Sequence, residues 1–340
     1  MYLSLSIVRM DRSLLCVRTV FPCENQKDCK NMLIRPERVT DYPGIAKVHA
    51  RAFSTQRGVP LIVTLQRQRR EFDPELSLLA EVDGRIAGHI LFSPYQMRLL
   101  DQTIPSVNLS PLGIDPAYQR QGIGGRLIAE GHAIAAAKGY LVSTVLGHPT
   151  YYPKFGYQTH AFGSTQLTIT IDPAARPILE TRSPTEEDIP ALHSLWFREE
   201  QHVDIALDPG HGLLDWLSPD PAIQATVYIR DAQVVGYTRI HRNEPTSPRY
   251  FLAHDAETAR AMLTTLASQR TETAFEPTYT LPLHPFSATT AALGPAQARS
   301  WEAGMAYELA PSPLPDYLAA LSEKGRPAGR PIWPVAFDLA

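Results

Sequence analysis

Between Pro111 and Ile128 the chain reads "PLGIDPAYQRQGIGGRLI", and Gly122, Gly124 and Gly125 fall where an apolar helical repeat begins. Glycine costs backbone entropy, so a helix start crowded with it implies that something comes close to the backbone. Free N–H groups at a helix N-terminus, together with the helix dipole, form a site for an anion such as a pyrophosphate. Two phosphate loops do not fit. A Walker loop ends in Gly-Lys-Ser/Thr, whereas Gly125 is followed by Arg126 and Leu127; a dinucleotide fingerprint would place its third glycine at Leu127. A third pattern, Gln/Arg-x-x-Gly-x-Gly, is met by Gln119, Gly122 and Gly124. A glycine-rich turn with no ligand is the plain alternative.

The elements around this loop follow from local signals. Residues 33–36 read as a short strand, and Thr40 or Asp41 can cap a helix running to about Phe53. A second helix is expected over about 61–71. Asp83-Gly84 joins two β runs as a hairpin. A strand over about 106–114 contains Pro111, which has no donor for a ladder, so a bulge or splay is expected there. The helix after the glycines carries Ile123, Leu127, Ile128, Ile134 and Ala135 on one face and ends at Lys138 and Gly139. "YLVSTVLG" reads as a buried strand, "PTYYPKFGY" as a short helix or turn, and "AFGSTQLTITI" as further β structure.

The second half repeats this order. "PILETRSPTEEDIPALHSLWF" matches "MLIRPERVTDYPGIAKVHARAF" as strand, cap and helix, and "TVYIRDAQVVGYTRIH" repeats the first hairpin, with Gly236 where Gly88 stood. The period is roughly 140 residues. The expected organisation is a poorly patterned extension over 1–31, one domain over 32–172, a second over 173–309, and a proline-rich tail over 310–340 lying on the surface. Met32 reads as a natural start; an amphipathic targeting segment is the rival reading of residues 1–31.

A formal net charge of −3 gives no basic footprint for nucleic acid, and no apolar run reaches the ~18 residues of a membrane span. Cys16, Cys23 and Cys29 match no zinc spacing, and their odd number argues against a disulfide framework. The expected location is the cytoplasm, with no metal.

Two linked motifs carry a resemblance. "PLGIDPAYQRQGIG" and, about thirty residues later, "LGHPTYYPKFGY" are similar to the paired motifs of the GCN5-related N-acetyltransferase (GNAT) superfamily, in its bacterial branch. Ser110 stands where glycine is common, and Tyr157 replaces phenylalanine. The resemblance covers about 33–170 and implies an α/β fold with a mixed central sheet, splayed parallel strands and flanking helices; with the repeat, it implies tandem copies, the second degenerate.

The resemblance also implies acetyl-CoA as donor. Main-chain groups of Leu112, Gly113 and Ile114 would pair with the pantetheine arm like an added strand. Gln119, Arg120, Gln121, Gly122, Ile123, Gly124 and Gly125 would hold the pyrophosphate, and an N–H near Leu112 would polarise the thioester carbonyl. Tyr152, four residues before Gly156, would be the general acid that protonates the departing thiolate. Tyr151 reads as a packing or acceptor-site residue. Glu81 and His148 are the candidates for the base, each with a structural reading beside it.

The implied function is acetyl transfer to a primary amine, on a small molecule or a peptide, by direct attack in a ternary complex. The alternatives are an acetyl-CoA-binding regulator without turnover and a partner-binding module that keeps only the fold. The second half, with no glycine in "YFLAHDAETARAM", is expected to bind no CoA and to shape the acceptor site or a homo-oligomer contact.

Overall fold

A computed structural model describes residues 32–171, 179–269, 278–330 and 334–339. The cysteines and the 1–31 extension lie outside the described residues. Strand β1 (Met32–Pro36) leads through a 3-10 turn at Val39–Asp41 into helix α1 (Tyr42–Ala52), and α2 (Val59–Gln66) follows. Then come β2 (Ser77–Val82), β3 (Arg85–Leu99), β4 (Gln102–Ile114), helix α3 (Ile123–Ala137), β5 (Val142–Leu146) and β6 (Gly163–Thr170). The hairpin turn falls at Asp83 and Gly84, both at positive φ, as its sequence requires.

Strands β2 and β3 are buried on both faces, so their side chains serve two layers in alternation. Leu79 and Leu91 pack with Ile45 of α1 and Val63 of α2. Leu78, Ala80, Ile90 and Phe92 pack on the other side with Leu127 and Ile128 of α3. Gly131 sits in α3 because a Cβ there would lie 2.0 Å from a Phe92 ring carbon. Gly131→Ala is therefore expected to destabilise the protein by about 1–3 kcal/mol despite the better helix propensity of alanine. A rise in the urea-unfolding midpoint would show that Phe92 yields without cost.

The second half contains β7 (Glu180–Arg182), α4 (Ile189–Glu200), β8 (Ile205–Leu207), β9 (Ile223–Arg230), β10 (Gln233–His241), β11 (Tyr250–Ala253) and α5 (Ala256–Ser268). After these come β12 (Thr278–Leu281), α6 (Thr290–Leu293), β13 (Ala296–Ser300), β14 (Gly304–Glu308) and α7 (Leu314–Lys324). Two local devices of the first half recur. Arg35 donates both Nη groups to Asp41 (2.6 and 3.0 Å), and Arg182 does the same to Asp188 (2.6 and 2.8 Å). Each aspartate also accepts the backbone N–H three residues before it, from Arg38 and from Thr185. Gly88 makes room for Ile114 and Leu127, and Gly236 for Met262 of α5.

Hydrogen bonding does not stop at the midpoint of the chain. Among the described residues the largest sheet runs β1-β2-β3-β4-β5-β14, with β8 paired to β3; β12 and β13 flank β6; and β11-β10-β9-β7 form a separate sheet. Strands from the late chain thus complete the sheets of the early chain. The stretch expected as a surface tail forms α7, with Leu314 and Tyr317 buried and the Tyr317 hydroxyl donating to Ala161 O (2.6 Å). Among the described residues no helix is long and apolar enough to cross a membrane.

Candidate active site

Strands β4 and β5 are parallel neighbours over only three residues, Ser106–Asn108 against Val142–Thr144. Beyond them the two strands part. On its other edge β4 stays paired with β3, where Leu112 lies opposite Ile90 and Leu109 opposite Phe92, so Ser110 and Pro111 bulge against Leu91 alone. The disruption expected at Pro111 is thus both a bulge on one edge and a splay on the other. Asn108 closes the last paired step by donating to Thr144 Oγ1 (3.1 Å). Leu112, Gly113 and Ile114 lie beyond that step, where among the described residues β4 has no strand partner on its β5 side.

The loop after β4 is built from local hydrogen bonds. Asp115 accepts the N–H of Ala117 (3.0 Å), and Gln119 Nε2 donates to Ile114 O (3.1 Å). Gln121 Nε2 reaches Ala117 O (3.4 Å). Arg120 and Gly122 both take positive φ, 61° and 76°, which turns the chain sharply into α3. Gly122 is the N-cap and offers no side chain; the first helical bond runs from Arg126 N–H to Gly122 O (3.2 Å). Ile123 is buried and ties this end to the core. The helix N-terminus therefore keeps uncapped N–H donors.

The glycines themselves divide by role. A Cβ on Gly122 would meet nothing within 4 Å, so its demand is conformational. A Cβ on Gly124 would come within 2.3 Å of Tyr151 Oη, and one on Gly125 within 2.6 Å of a Phe155 ring carbon. Side chains of this chain, rather than open space for a ligand, occupy the room that Gly124 and Gly125 leave. Tyr151 and Phe155 come from the 3-10 turn Tyr152–Phe155 and its N-cap, so the second motif packs directly on the first.

Tyr152 is buried on that turn, and its ring packs on Gly147, the residue after β5. The rings of Tyr151 and Tyr157 meet it edge-on. Its hydroxyl has no hydrogen-bond partner among the described residues. Burial raises the phenol's pKa well above its usual value, so it keeps its proton at neutral pH. Tyr157, where phenylalanine was expected, has a polar purpose: its hydroxyl meets Ser143 Oγ (2.7 Å) and His132 Nε2 (2.9 Å).

A cavity of about 410 Å³ opens at the splay. Asn108 and Ser110 of β4, Leu146 at the end of β5, and Gly163 to Thr165 line its early-chain side. Arg239, Arg249, Arg330 and Asp338 line the other side, with Trp301 beside them. Sequence reading missed these late-chain residues. Of the two candidate bases, Glu81 is engaged by Arg35 (3.1 Å) and His148 is exposed, and neither lines the cavity.

Helix α5 of the second half carries a side-chain cap at its N-terminus. Asp255 accepts the N–H of Thr258 (2.7 Å), and that bond, outweighing desolvation with help from His254, lowers the carboxyl to about 2. Where α3 lacks a side-chain cap, α5 has one, and its carboxylate sets negative charge against an incoming anion.

Comparison with known proteins places this geometry. A family model described as an acetyltransferase (GNAT) domain matches residues 33–160. YjhQ of Escherichia coli K12, named as an uncharacterized N-acetyltransferase, is 37% identical over 120 residues, 35% of this chain and 65% of YjhQ. The chain thus spans just under two thirds of that relative's length. YhbS of the same strain, named likewise, is 32% identical over 131 residues, 38% of this chain and 75% of YhbS. A crystal structure of YhbS in complex with CoA covers 40% of this chain and 76% of its own at 28% identity, with a TM-score of 0.36. A GCN5-related N-acetyltransferase structure from Anabaena variabilis covers 82% of this chain and 73% of its own, with a TM-score of 0.62 at 15% identity. That last likeness is one of fold, a mixed sheet flanked by helices, and it extends into the second half.

Proposed function

Because the chain belongs to the GNAT acetyltransferase family, we propose that it transfers an acetyl group from acetyl-CoA to a primary amine by direct attack in a ternary complex. The observation that carries this reading is the splay itself. Past Asn108 the edge of β4 at Leu112, Gly113 and Ile114 has no strand partner on its β5 side among the described residues. A cavity opens where the splay begins, at Asn108 and Ser110; the uncapped N-terminus of α3 follows β4 in the chain, and Tyr152 packs on Gly147 just after β5. The β4 edge would hold the pantetheine arm, and the stretch Gln119 to Gly125 the pyrophosphate.

The amine nitrogen forms a bond to the thioester carbonyl carbon, and an N–H near Leu112 takes the developing oxyanion. The carbon–sulfur bond then breaks, and the thiolate leaves with the proton of Tyr152. The amine attacks as the free base; the nitrogen then loses one proton to solvent, and Tyr152, left as the phenolate, regains one from solvent, so the net change is amide plus free CoA thiol. No cofactor beyond the acetyl-CoA cosubstrate and no metal enters this scheme.

We further read residues 32–172 and 173–309 as tandem copies of one fold. The repeated Arg-Asp cap and the repeated glycine under a helix support this. The second copy, its α5 terminus capped by Asp255, supplies cavity wall in place of a second CoA site. The acceptor is then a small-molecule or peptide amine, in the cytoplasm.

Calorimetry with acetyl-CoA and a free-thiol assay across a panel of amines test the proposal. Binding of one acetyl-CoA per chain, with amine-dependent release of CoA, is the expected result. Binding without release by any amine would favour a regulatory protein, and no binding would sink the reading altogether.

A further inference from the structure

The late-chain wall of the cavity is cationic. Arg239, Arg249 and Arg330 line it, and among the described lining residues Asp338 is the sole carboxylate. Asp338 is itself committed: Arg239 Nε lies 3.4 Å from its Oδ2, and Arg249 Nη1 3.3 Å from its Oδ1. Arg330 is bound behind the wall to the buried Glu200 (2.5 Å). Arg249 differs from the other two: its side chain is 38% exposed, against 5% for Arg239 and 6% for Arg330. Its guanidinium is forked and carries five donors, and the contact with Asp338 uses one nitrogen. At the same cavity Leu146 and Trp301 present exposed apolar surface, 47% and 37%.

An acceptor whose amine must reach the splay brings the rest of its body against this wall. A polycation would meet guanidinium groups and no uncommitted carboxylate among the described residues; like charges facing each other across a partly desolvated cavity repel. A carboxylate or phosphate would meet a fork that fits it. We propose that the acceptor is an amine that also carries an anionic group, a carboxylate or a phosphate, with an apolar body between the two. Arg249 takes the anion, and Leu146 and Trp301 flank the apolar body. This rests on the acetyl-transfer reading above.

Matched acceptors test it with the full chain and acetyl-CoA. Phenylalanine is set against phenethylamine, which lacks only the carboxylate; phosphoethanolamine against ethanolamine; and spermidine serves as the polycation. CoA release is expected with at least tenfold higher kcat/KM for the anionic member of a pair, and the pair with the larger ratio identifies the anion as carboxylate or phosphate. Arg249→Glu is expected to collapse that ratio to about one or invert it, while calorimetry still finds acetyl-CoA bound. Equal or faster acetylation of phenethylamine, ethanolamine or spermidine by the unmodified chain overturns the anionic class and leaves acetyl transfer standing. Absence of CoA release with every amine overturns acetyl transfer, and this inference with it.

Discussion

Tyr152→Phe is expected to lower turnover by roughly 10²-fold or more while leaving acetyl-CoA affinity nearly unchanged. The substitution removes one oxygen and keeps the ring that packs on Gly147 and meets Tyr151 and Tyr157 edge-on, so the fold should hold. The hydroxyl has no partner among the described residues, so its removal leaves no buried group there newly unsatisfied. On the acetyl-transfer proposal, what is lost is the proton for the leaving thiolate. A pH profile adds a second reading. Burial drives the phenol's pKa upward, so the acid form persists, and no descending limb assignable to Tyr152 should appear between pH 7 and pH 10. Unchanged turnover with a saturating amine, under conditions where chemistry limits the rate, would reduce Tyr152 to a packing residue.

The other large effect is at the glycine loop. Gly124→Glu is expected to weaken acetyl-CoA binding by roughly 10²-fold, because a carboxylate at the N-terminus of α3 opposes a pyrophosphate and competes for its donors. The contact with Tyr151 complicates this variant: a Cβ at 124 would meet Tyr151 Oη at 2.3 Å, so packing is disturbed before charge acts. Two further variants separate the causes. Gly124→Ala carries the same steric conflict without the charge. Gly124→Glu combined with Tyr151→Ala keeps the charge and removes the conflict. If pyrophosphate binds here, the double variant binds as weakly as Gly124→Glu, and Gly124→Ala sits between it and the unmodified chain. Near-normal affinity in the double variant would assign the loop to packing alone.

The loop shows how far local sequence can be read. The free N–H donors and the start of α3 were legible, because each depends on residues within a few positions, whereas the positive φ that Gly122 supplies was read instead as room for a ligand. The reason for Gly124 and Gly125 was not legible. They face Tyr151 and Phe155, which arrive from the far end of β5, and nothing local distinguishes a glycine emptied for a ligand from one emptied for a tyrosine. The bulge and splay around Pro111 follow from its missing N–H, whereas the residues that close the cavity across from it do not. Arg239, Arg249 and Asp338 lie more than a hundred residues from Asn108; Arg239 falls in the repeated hairpin, but nothing in that repeat or around the other two marks them as cavity-facing.

Strands of the late chain were missed for a related reason. β8, β13 and β14 are three to five residues long, and "GPAQARSWEAGMAYE" lacks a sustained alternation of apolar residues. Each becomes a strand by pairing with an edge left open elsewhere: β14 with β5, β13 with β6, β8 with β3. Backbone hydrogen bonds across such distances carry no side-chain signature. The stretch from Leu314 to Lys324 reads as tail for the same reason, since its burial depends on a surface supplied by residues such as Ala161.

The sequence by itself determined the ends of α1 and α3, the first hairpin, the paired motifs that define the family, and the repeated cap region, since these are set by steric and hydrogen-bonding preferences acting within a turn or two. Helix α2 stops at Gln66, short of the expected 71, and α7 went unread. Tertiary structure decided which glycines meet protein, how strands of the second half complete sheets of the first, and what charge lines the cavity at the splay. Those depend on free edges and cavities that exist only once distant segments have packed, and a cavity's electrostatics belong to the groups that happen to meet there.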